Sequence, residues 1–410
     1  MRVLVSAYAC GPGSGSEPGV GWGWALGIAE RGHEVCVVTR HCSRESIEAW
    51  QRAGKGPVER LEFLYYDLPG FDDWWLTGGF GTQAYYVFWQ WGAARLALQA
   101  HKRKPFDLVH HVTLATVRQP SFLWRLGRPL WFGPVGGGEV PPRRLRRQFS
   151  LGGWLWESFR ELWNRACRYD PLLRLTLSHA DRIYVTSPQS RGVLPPAHRE
   201  RAEVMPTVGL DPRTGSRECC PPRQSQSRPG ALEVLFAGRF VAFKGLSLGL
   251  DAFARHARRF PGSRLTLVGQ GPEEAHLKEA AVRLGVEKDV EFVRWLPRSE
   301  LCRLYRESDV FFFPSLGDSG GMVLLEAMAH GLPVVCLALG GPAILADSTC
   351  GRVVAAEGLP AATVADGLAG ALDQLASSEE LLHALALGAP VRAAHFHWPR
   401  VVARVYAEAA

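Results

Sequence analysis

No window of the sequence approaches the ~20 consecutive apolar residues that a membrane-spanning helix needs, so no such helix is expected. There is no CxxC, and the nine cysteines stand singly apart from the Cys219–Cys220 pair. That pattern gives neither a disulfide framework nor a metal-ligand spacing. The expectation is a reduced, cytoplasmic protein whose cysteines are small core residues. The opening "MRVLVSAYAC" has too short an apolar run for a signal peptide and reads as a first β-strand. Basic residues outnumber acidic ones, 47 to 40, for a net charge of +7. Such a balance favours nucleic acid, anionic lipid or phosphorylated substrates without choosing among them. With no recognition motif beside it, nucleic acid is not an expected partner.

What the sequence does contain is a repeated strand–turn–helix rhythm. "RVLVSAYA" is a short β-rich run, followed by the loop "CGPGSGSEPGVG", a helical "WGWALGIAERG" and a second strand "HEVCVVTR". This is the βαβ signature of a parallel sheet covered by helices. It continues through "LEFLYYDLP", an aromatic helix near 82–103, "DLVHHVT", "RPLWFGPV" and "ADRIYVTSP". Tyr85, Tyr86, Phe88, Trp89 and Trp91 of that helix are expected to be core.

The rhythm lapses from Met205 to Gly230, where "RTGSRECCPPRQSQSRPG" reads as linker. A second series follows: "EVLFAGR", "RLTLVGQG", "VEFVRWL", "DVFFFPS" and "LPVVCLAL", with helices between. At 410 residues there is room for two domains. The expected division is an α/β, doubly wound domain over 1–204, a linker over 205–230 and a second such domain over 231–390, with a cleft between the domains. Ligands in such sheets bind beyond the carboxyl ends of the strands, where the motifs fall.

"FAGRFVAFKGL" sets Arg239 and Lys244 on one loop after a strand, a fork and a point charge suited to a diphosphate. Two solvated surface cations are the plain alternative. In "LTLVGQGPEE", Gly269 allows close backbone approach to a ligand, or simply a turn. "VEFVRWLP" puts Arg294 and Trp295 at a strand end, to frame a nucleobase or fill the core. In "PSLGDSGGMVLLEAMAHG", Gly320 and Gly321 open a helix, whose free N–H groups and dipole favour an anion. Glu326 in that helix suits ribose hydroxyls, and Asp318 in the loop suits the sugar end of the same ligand.

Together "GRFVAFKGL", "LTLVGQGP", "VEFVRWL" and "FPSLGDSGGMVLLEAMAHGLPVV" resemble the donor domain of family 4 glycosyltransferases, over most of 230–355. That family has the GT-B fold and retains anomeric configuration. Its pattern is a Glu, seven residues and a Glu; Asp318 stands here for the first, a departure at the sugar end. The resemblance implies that Arg239 and Lys244 neutralise the donor diphosphate and that Glu326 holds the ribose. It also implies that amides near Gly321, Met322 and Val323 cradle the sugar. "GSGSEPGVGWGWA" resembles the first loop of such enzymes, with the amides of Gly15 and Ser16 facing the phosphates. "DLVHHVT" resembles the strand end that carries a site histidine; His111 is favoured over His110, and either also suits a buried structural histidine.

"WFGPVGGGEVPP", with Gly136, Gly137, Gly138 and Glu139, resembles a segment found in a subset of these transferases and is assigned to the acceptor side. "HFHWPRVVARVY" resembles the final helix, within 391–410, that crosses back to the first domain. No DxD is present, which agrees with metal-independent transfer and no cofactor beyond the nucleotide sugar.

The segment 141–169 breaks the α/β rhythm. Arg143, Arg144, Arg146 and Arg147 precede Phe149, Trp154, Trp156, Phe159 and Trp163, a pattern suited to an anionic bilayer surface or to a helix packed on the first domain. The expected activity is transfer of a sugar from a nucleotide sugar to a glycan, lipid-linked or small-molecule acceptor, in polysaccharide or glycoconjugate biosynthesis, in the cytoplasm with the inner membrane face as a site of contact. A silent sugar-nucleotide-binding protein of the same fold is the alternative that Asp318 keeps open. A nicotinamide-binding turn would need Gly at position 18 after Gly13 and Gly15, and Pro18 stands there.

Overall fold

The computed structural model describes residues 1–54, 56–70, 79–215 and 230–407. Most of the expected linker, with Cys219 and Cys220, lies outside the described residues. The chain forms two compact units, each built on its own parallel sheet. One comprises Met1–Gly138, Trp163–Gly209 and the chain from Trp398 on; the other comprises Glu139–Leu162 and Leu210–His397.

The first sheet contains β1 (Arg2–Ala7), β2 (Glu34–Thr39), β3 (Leu61–Tyr65), β4 (Leu108–Thr113), β5 (Leu130–Val135), β6 (Ala180–Val185) and β7 (Ala202–Val204). Their order is β3-β2-β1-β4-β5-β6-β7, all parallel. Central strands of such a sheet are covered on both faces, which is why β1 and β4 are buried along their whole length. The winding reverses between β1 and β4, so their carboxyl ends diverge into different loops and leave a place for a ligand.

The helix Gly79–Arg103 closes one face of this sheet. Tyr85, Tyr86, Trp89, Ala93 and Ala97 are buried at helical spacing, and Tyr8 packs edge-on against Tyr86 and Trp89 at 5.0 Å each. The buried stripe is narrower than expected. Phe88 is 59% and Trp91 39% exposed, because they point off the buried face.

The helix Trp398–Tyr406 packs on the first helix, Ser16–Glu30, within the same unit. Gly23 leaves no room for a Cβ against the Trp398 indole, and a Cβ on Gly27 would lie 2.7 Å from Val402. Tyr406 reaches His110 in β4, oxygen to Nδ1 at 3.0 Å.

The second sheet contains β8 (Glu233–Ala237), β9 (Arg264–Val268), β10 (Val290–Val293), β11 (Val310–Phe313), β12 (Val334–Leu337) and β13 (Gly351–Val354). The order β10-β9-β8-β11-β12-β13 repeats the first topology, and here the winding reverses between β8 and β11. His256, fully buried, ties this unit together: Asp373 meets its Nδ1 at 2.8 Å and Ser263 its Nε2 at 3.1 Å.

Residues 139–162, inside the first domain by sequence position, pack instead with the second sheet. Ser150 hydrogen-bonds Glu273, the Gln148 carbonyl meets His276 at 3.2 Å, and Arg144 donates to the Gly358 carbonyl at 2.8 Å. Among the described residues, no helix is long and apolar enough to cross a membrane.

Candidate functional site

In the second unit the loops after β8 and β11 meet at the reversal point. A 3₁₀ turn, Ala242–Lys244, ends at Gly245 in the left-handed conformation (φ 67°), which lets the backbone press against Pro314. That turn lays Lys244 over the Phe313 ring, its Nζ 4.7 Å from the centroid, and pairs it with Asp318. Both side chains are about seven-eighths buried, at 13% and 14% exposure.

The other oxygen of Asp318 accepts from the Gly320 amide at 3.2 Å, and its carbonyl accepts from Gly341 at 2.8 Å. Asp318 therefore caps its own loop and neutralises Lys244. Gly321 (φ 95°) then opens the helix Met322–Ala329. The amides of Met322 and Val323 sit in its first turn, where N–H groups lack an intrahelical acceptor.

Glu326 projects from that helix and pairs with Arg298 at 3.2 Å. Burial raises its pKa, with the Arg298 cation pulling the other way. Arg239 is exposed, and no ion pair to it occurs among the described residues. Trp295 is 74% exposed, so the core-filling alternative for it does not hold. Arg294 is equally exposed and lies 3.9 Å from Glu274.

Gly269 has a packing reason of its own. It sits at φ 147° with the Gly238 carbonyl where a Cβ would go, which joins the ends of β8 and β9. Of the expected residues, Lys244, Asp318, Gly320, Gly321 and Glu326 thus come together around one loop and helix start.

In the first unit, Gly15 caps the helix Ser16–Glu30, and Ser16 holds a left-handed backbone (φ 57°). His110 is fully engaged: one nitrogen meets the Gly133 carbonyl at 2.8 Å and the other the Tyr406 hydroxyl at 3.0 Å. Burial depresses its pKa to about 4. His111 faces the other side of the sheet, where its Nε2 meets Tyr86 at 3.3 Å and its Nδ1 has no hydrogen-bond partner. Burial, with His110 beside it, depresses His111 to about 3. Each is a neutral imidazole at pH 7.

The glycine run and Glu139 part company. Gly136 exchanges backbone bonds with Ala115 and Val117, Gly137 accepts from Arg118 and Asn164, and Gly138 donates to Ser190 at 3.0 Å, all inside the first unit. Glu139 is 2% exposed and belongs to the second unit, its Cγ 3.2 Å from where a Gly340 Cβ would stand.

In the basic segment, Arg146 is 5% exposed and paired with Glu161 at 2.8 Å, so it is no part of a basic surface. The helix Leu151–Ala166 exposes Leu151, Trp154, Leu155, Trp156 and Leu162.

Sequence reasoning missed Arg298, which carries no motif of its own, and Glu17. The Glu17 carboxylate accepts from the Ala115 amide at 3.2 Å, and burial pushes it up to about 7. Its signal was present, since an acid inside a glycine-rich loop is not needed for the turn.

The profile of a family described as "Glycosyl transferases group 1" matches residues 231–377, the stretch that contains these loops. A D-inositol 3-phosphate glycosyltransferase of Frankia alni is 32% identical over 373 residues, covering 87% of this chain and 77% of its own. Among solved structures, sucrose-phosphate synthase of Thermosynechococcus elongatus superposes with a TM-score of 0.62 at 16% identity, over 100% of this chain and 98% of that one. Anabaena HepE in complex with UDP-glucose gives 0.60 at 16% identity, over 100% of both. The structures share the fold, and the relative aligned along most of the chain carries the family. The chain belongs to the group 1 glycosyltransferases and is a glycosyltransferase of the GT-B fold.

Proposed function

We propose that the protein transfers a sugar, with retention of anomeric configuration and without a metal, from a nucleoside diphosphate sugar to a hydroxyl acceptor. The observation that carries this is the Lys244–Asp318 pair beside the Gly321 helix start and Glu326. Lys244 and Arg239 supply positive charge to the departing diphosphate, and the first-turn amides add fixed dipoles. A leaving group stabilised in this way needs no proton before the glycosidic bond breaks.

Glu326 accepts from the ribose hydroxyls, Trp295 and Arg294 lie against the base, and Gly269 lets the backbone approach. Asp318 meets the sugar. In the first unit Gly15 and Ser16 face the phosphates, and His111 offers its unpartnered nitrogen to the reacting sugar. The carboxylates position hydroxyls and form no glycosyl–enzyme bond, unlike a glycosidase pair.

In this reading cationic side chains carry the electrostatic part. Gly136, Gly137 and Gly138 shape the acceptor side through their backbone. The acceptor is a glycan, a lipid-linked saccharide or a small polyol, and the polyol phosphate in the relative's name joins the set to be tried. A lipid-linked acceptor suits the exposed Trp154, Leu155 and Trp156, with Arg147 exposed in the same segment, as a face for an anionic bilayer. On this reading the transfer takes place in the cytoplasm, in glycoconjugate synthesis.

The test is a thermal-shift panel of nucleoside diphosphates and their sugars, in EDTA and then in Mg²⁺. A ligand at ~100 times its dissociation constant adds ~2.7 kcal/mol. Stabilisation by one sugar nucleotide in EDTA, abolished in Glu326→Ala, is the expected result. Anomeric analysis of the product then checks retention. Response to none of the sugar nucleotides, with response to dinucleotides, sinks the assignment.

A further inference from the structure

Asp318 is one methylene shorter than the family's Glu, so its reach depends more on where its backbone is held. Two contacts hold that backbone from a distant segment. A Cβ on Gly317 would meet the Glu139 carbonyl at 2.9 Å, Pro141 at 3.2 Å and the Arg160 guanidinium at 3.4 Å. A Cβ on Gly340 would meet Glu139 Cγ at 3.2 Å on one side and the Asp318 carbonyl on the other. The loop carrying Asp318 therefore lies against Glu139 with glycine on both flanks.

Arg160 locks this arrangement. Its guanidinium donates to the Glu139 carbonyl, lies 5.2 Å over the Phe243 ring and pairs with buried Glu157 at 3.3 Å. Phe243 immediately precedes Lys244, and its carbonyl accepts from Leu316 at 2.8 Å. One guanidinium thus touches both the support of the Asp318 loop and the support of the Lys244 turn.

We infer that Glu139 and Arg160 are positioning residues of the donor site, setting where Asp318 meets the transferred sugar, a role on the donor side and not the acceptor side. This rests on the donor reading given above. The Glu139 backbone and side-chain packing do the positioning, and Asp318 touches the sugar. A displacement of this loop by a fraction of an ångström weakens contacts to the sugar ring and leaves the nucleoside contacts alone.

The experiment measures affinities for UDP with UDP-glucose and for GDP with GDP-mannose, on wild type, Glu139→Ala, Glu139→Gln and Gly340→Ala. For the pair that binds, the ratio of sugar nucleotide to bare nucleotide affinity is expected to fall about tenfold in Glu139→Ala and Gly340→Ala. Glu139→Gln, of equal length, is expected to keep the wild-type ratio.

An unchanged ratio in Glu139→Ala and Gly340→Ala overturns the inference. So does a parallel loss of both affinities with a lowered melting point, which marks general destabilisation. Loss of the ratio in Glu139→Gln also overturns it, since the charge of the carboxylate and not its packing is then what acts. If Glu139→Ala does not fold, Gly340→Ala decides. Wild type that binds none of the four ligands removes the donor reading itself, a different failure from an unchanged ratio.

Discussion

The two sheets reverse their winding at equivalent places, between β1 and β4 and between β8 and β11, yet the two reversal points carry opposite chemistry. The second sets two ion pairs, Lys244–Asp318 and Arg298–Glu326, beside a helix start. The first has two buried, neutral histidines on opposite faces of β4, the Tyr86 hydroxyl beside one of them, and a carboxylate pushed up to about 7. Topology decides where a ligand binds, and the side chains decide its charge. On the reading proposed above, the second place takes the donor diphosphate.

The largest expected effect breaks the charged side of this contrast. Lys244→Ala removes a fixed cation from the leaving group, and kcat/KM falls by about 10² or more. It also strands Asp318, at 14% exposure, without its counter-charge, which costs about 3 kcal/mol in denaturant unfolding. Adding Asp318→Asn returns most of that stability and none of the activity. Recovery of activity in the double variant would show that the pair is only structural.

The uncharged side is broken by acid. His110 and His111 have folded pKa values of about 4 and about 3, below the unfolded 6.5, so the unfolded chain binds more protons below pH 6.5. Glu17 opposes them, because its folded value near 7 exceeds the unfolded 4.5 and the folded chain takes that proton first. Among these three groups the balance is one net proton to the unfolded state between pH 6.5 and 4.5, and two just below that; His33, His101 and His198 of the same unit, also depressed by burial, add to it with the same sign. Stability of the first unit therefore declines from pH 6.5 and declines more steeply below 4.5. Glu17→Gln removes the opposing group and steepens the upper part. His256 in the second unit, also depressed by burial, adds a loss of the same sign there. A flat midpoint between pH 6.5 and 4 would refute the neutral assignment.

Much of this was legible in the sequence because strand ends and glycine-rich turns fall at regular spacing. The Asp318–Gly321 loop followed by Glu326 is such a case, being local in the chain. Three features were not legible, for physical reasons. Which of two adjacent β4 histidines is consumed structurally depends on Tyr406, 296 residues away in sequence. Glu139 follows three glycines that stay in the first unit, and only packing against Gly317 and Gly340 shows that it parts from them. Arg146 looks like its neighbours in a basic run, yet Glu161 one helix later draws it inside. Pairing across long stretches of chain leaves no local mark.

A smaller effect sharpens the donor side. Glu326→Gln keeps the volume and one acceptor but loses charge toward the ribose, so KM for the donor rises about tenfold while kcat holds. A fall in kcat alone would move Glu326 from binding to the chemical step.

The smallest effect lies at the outer edge of the same region. Trp295 is 74% exposed, and a large flat ring left in solvent at a strand end contributes little to folding. Stacking of a base on it contributes ~1–3 kcal/mol by comparison with other base–aromatic contacts. Trp295→Ala is therefore expected to leave the melting temperature in place while donor KM rises roughly tenfold, and Trp295→Phe to recover most of the loss. The two observables separate the possibilities cleanly. A lowered melting temperature with unchanged KM would make Trp295 a packing residue. The base would then be held through the Arg294 side of the strand end, where the same assay on Arg294→Ala would reveal it.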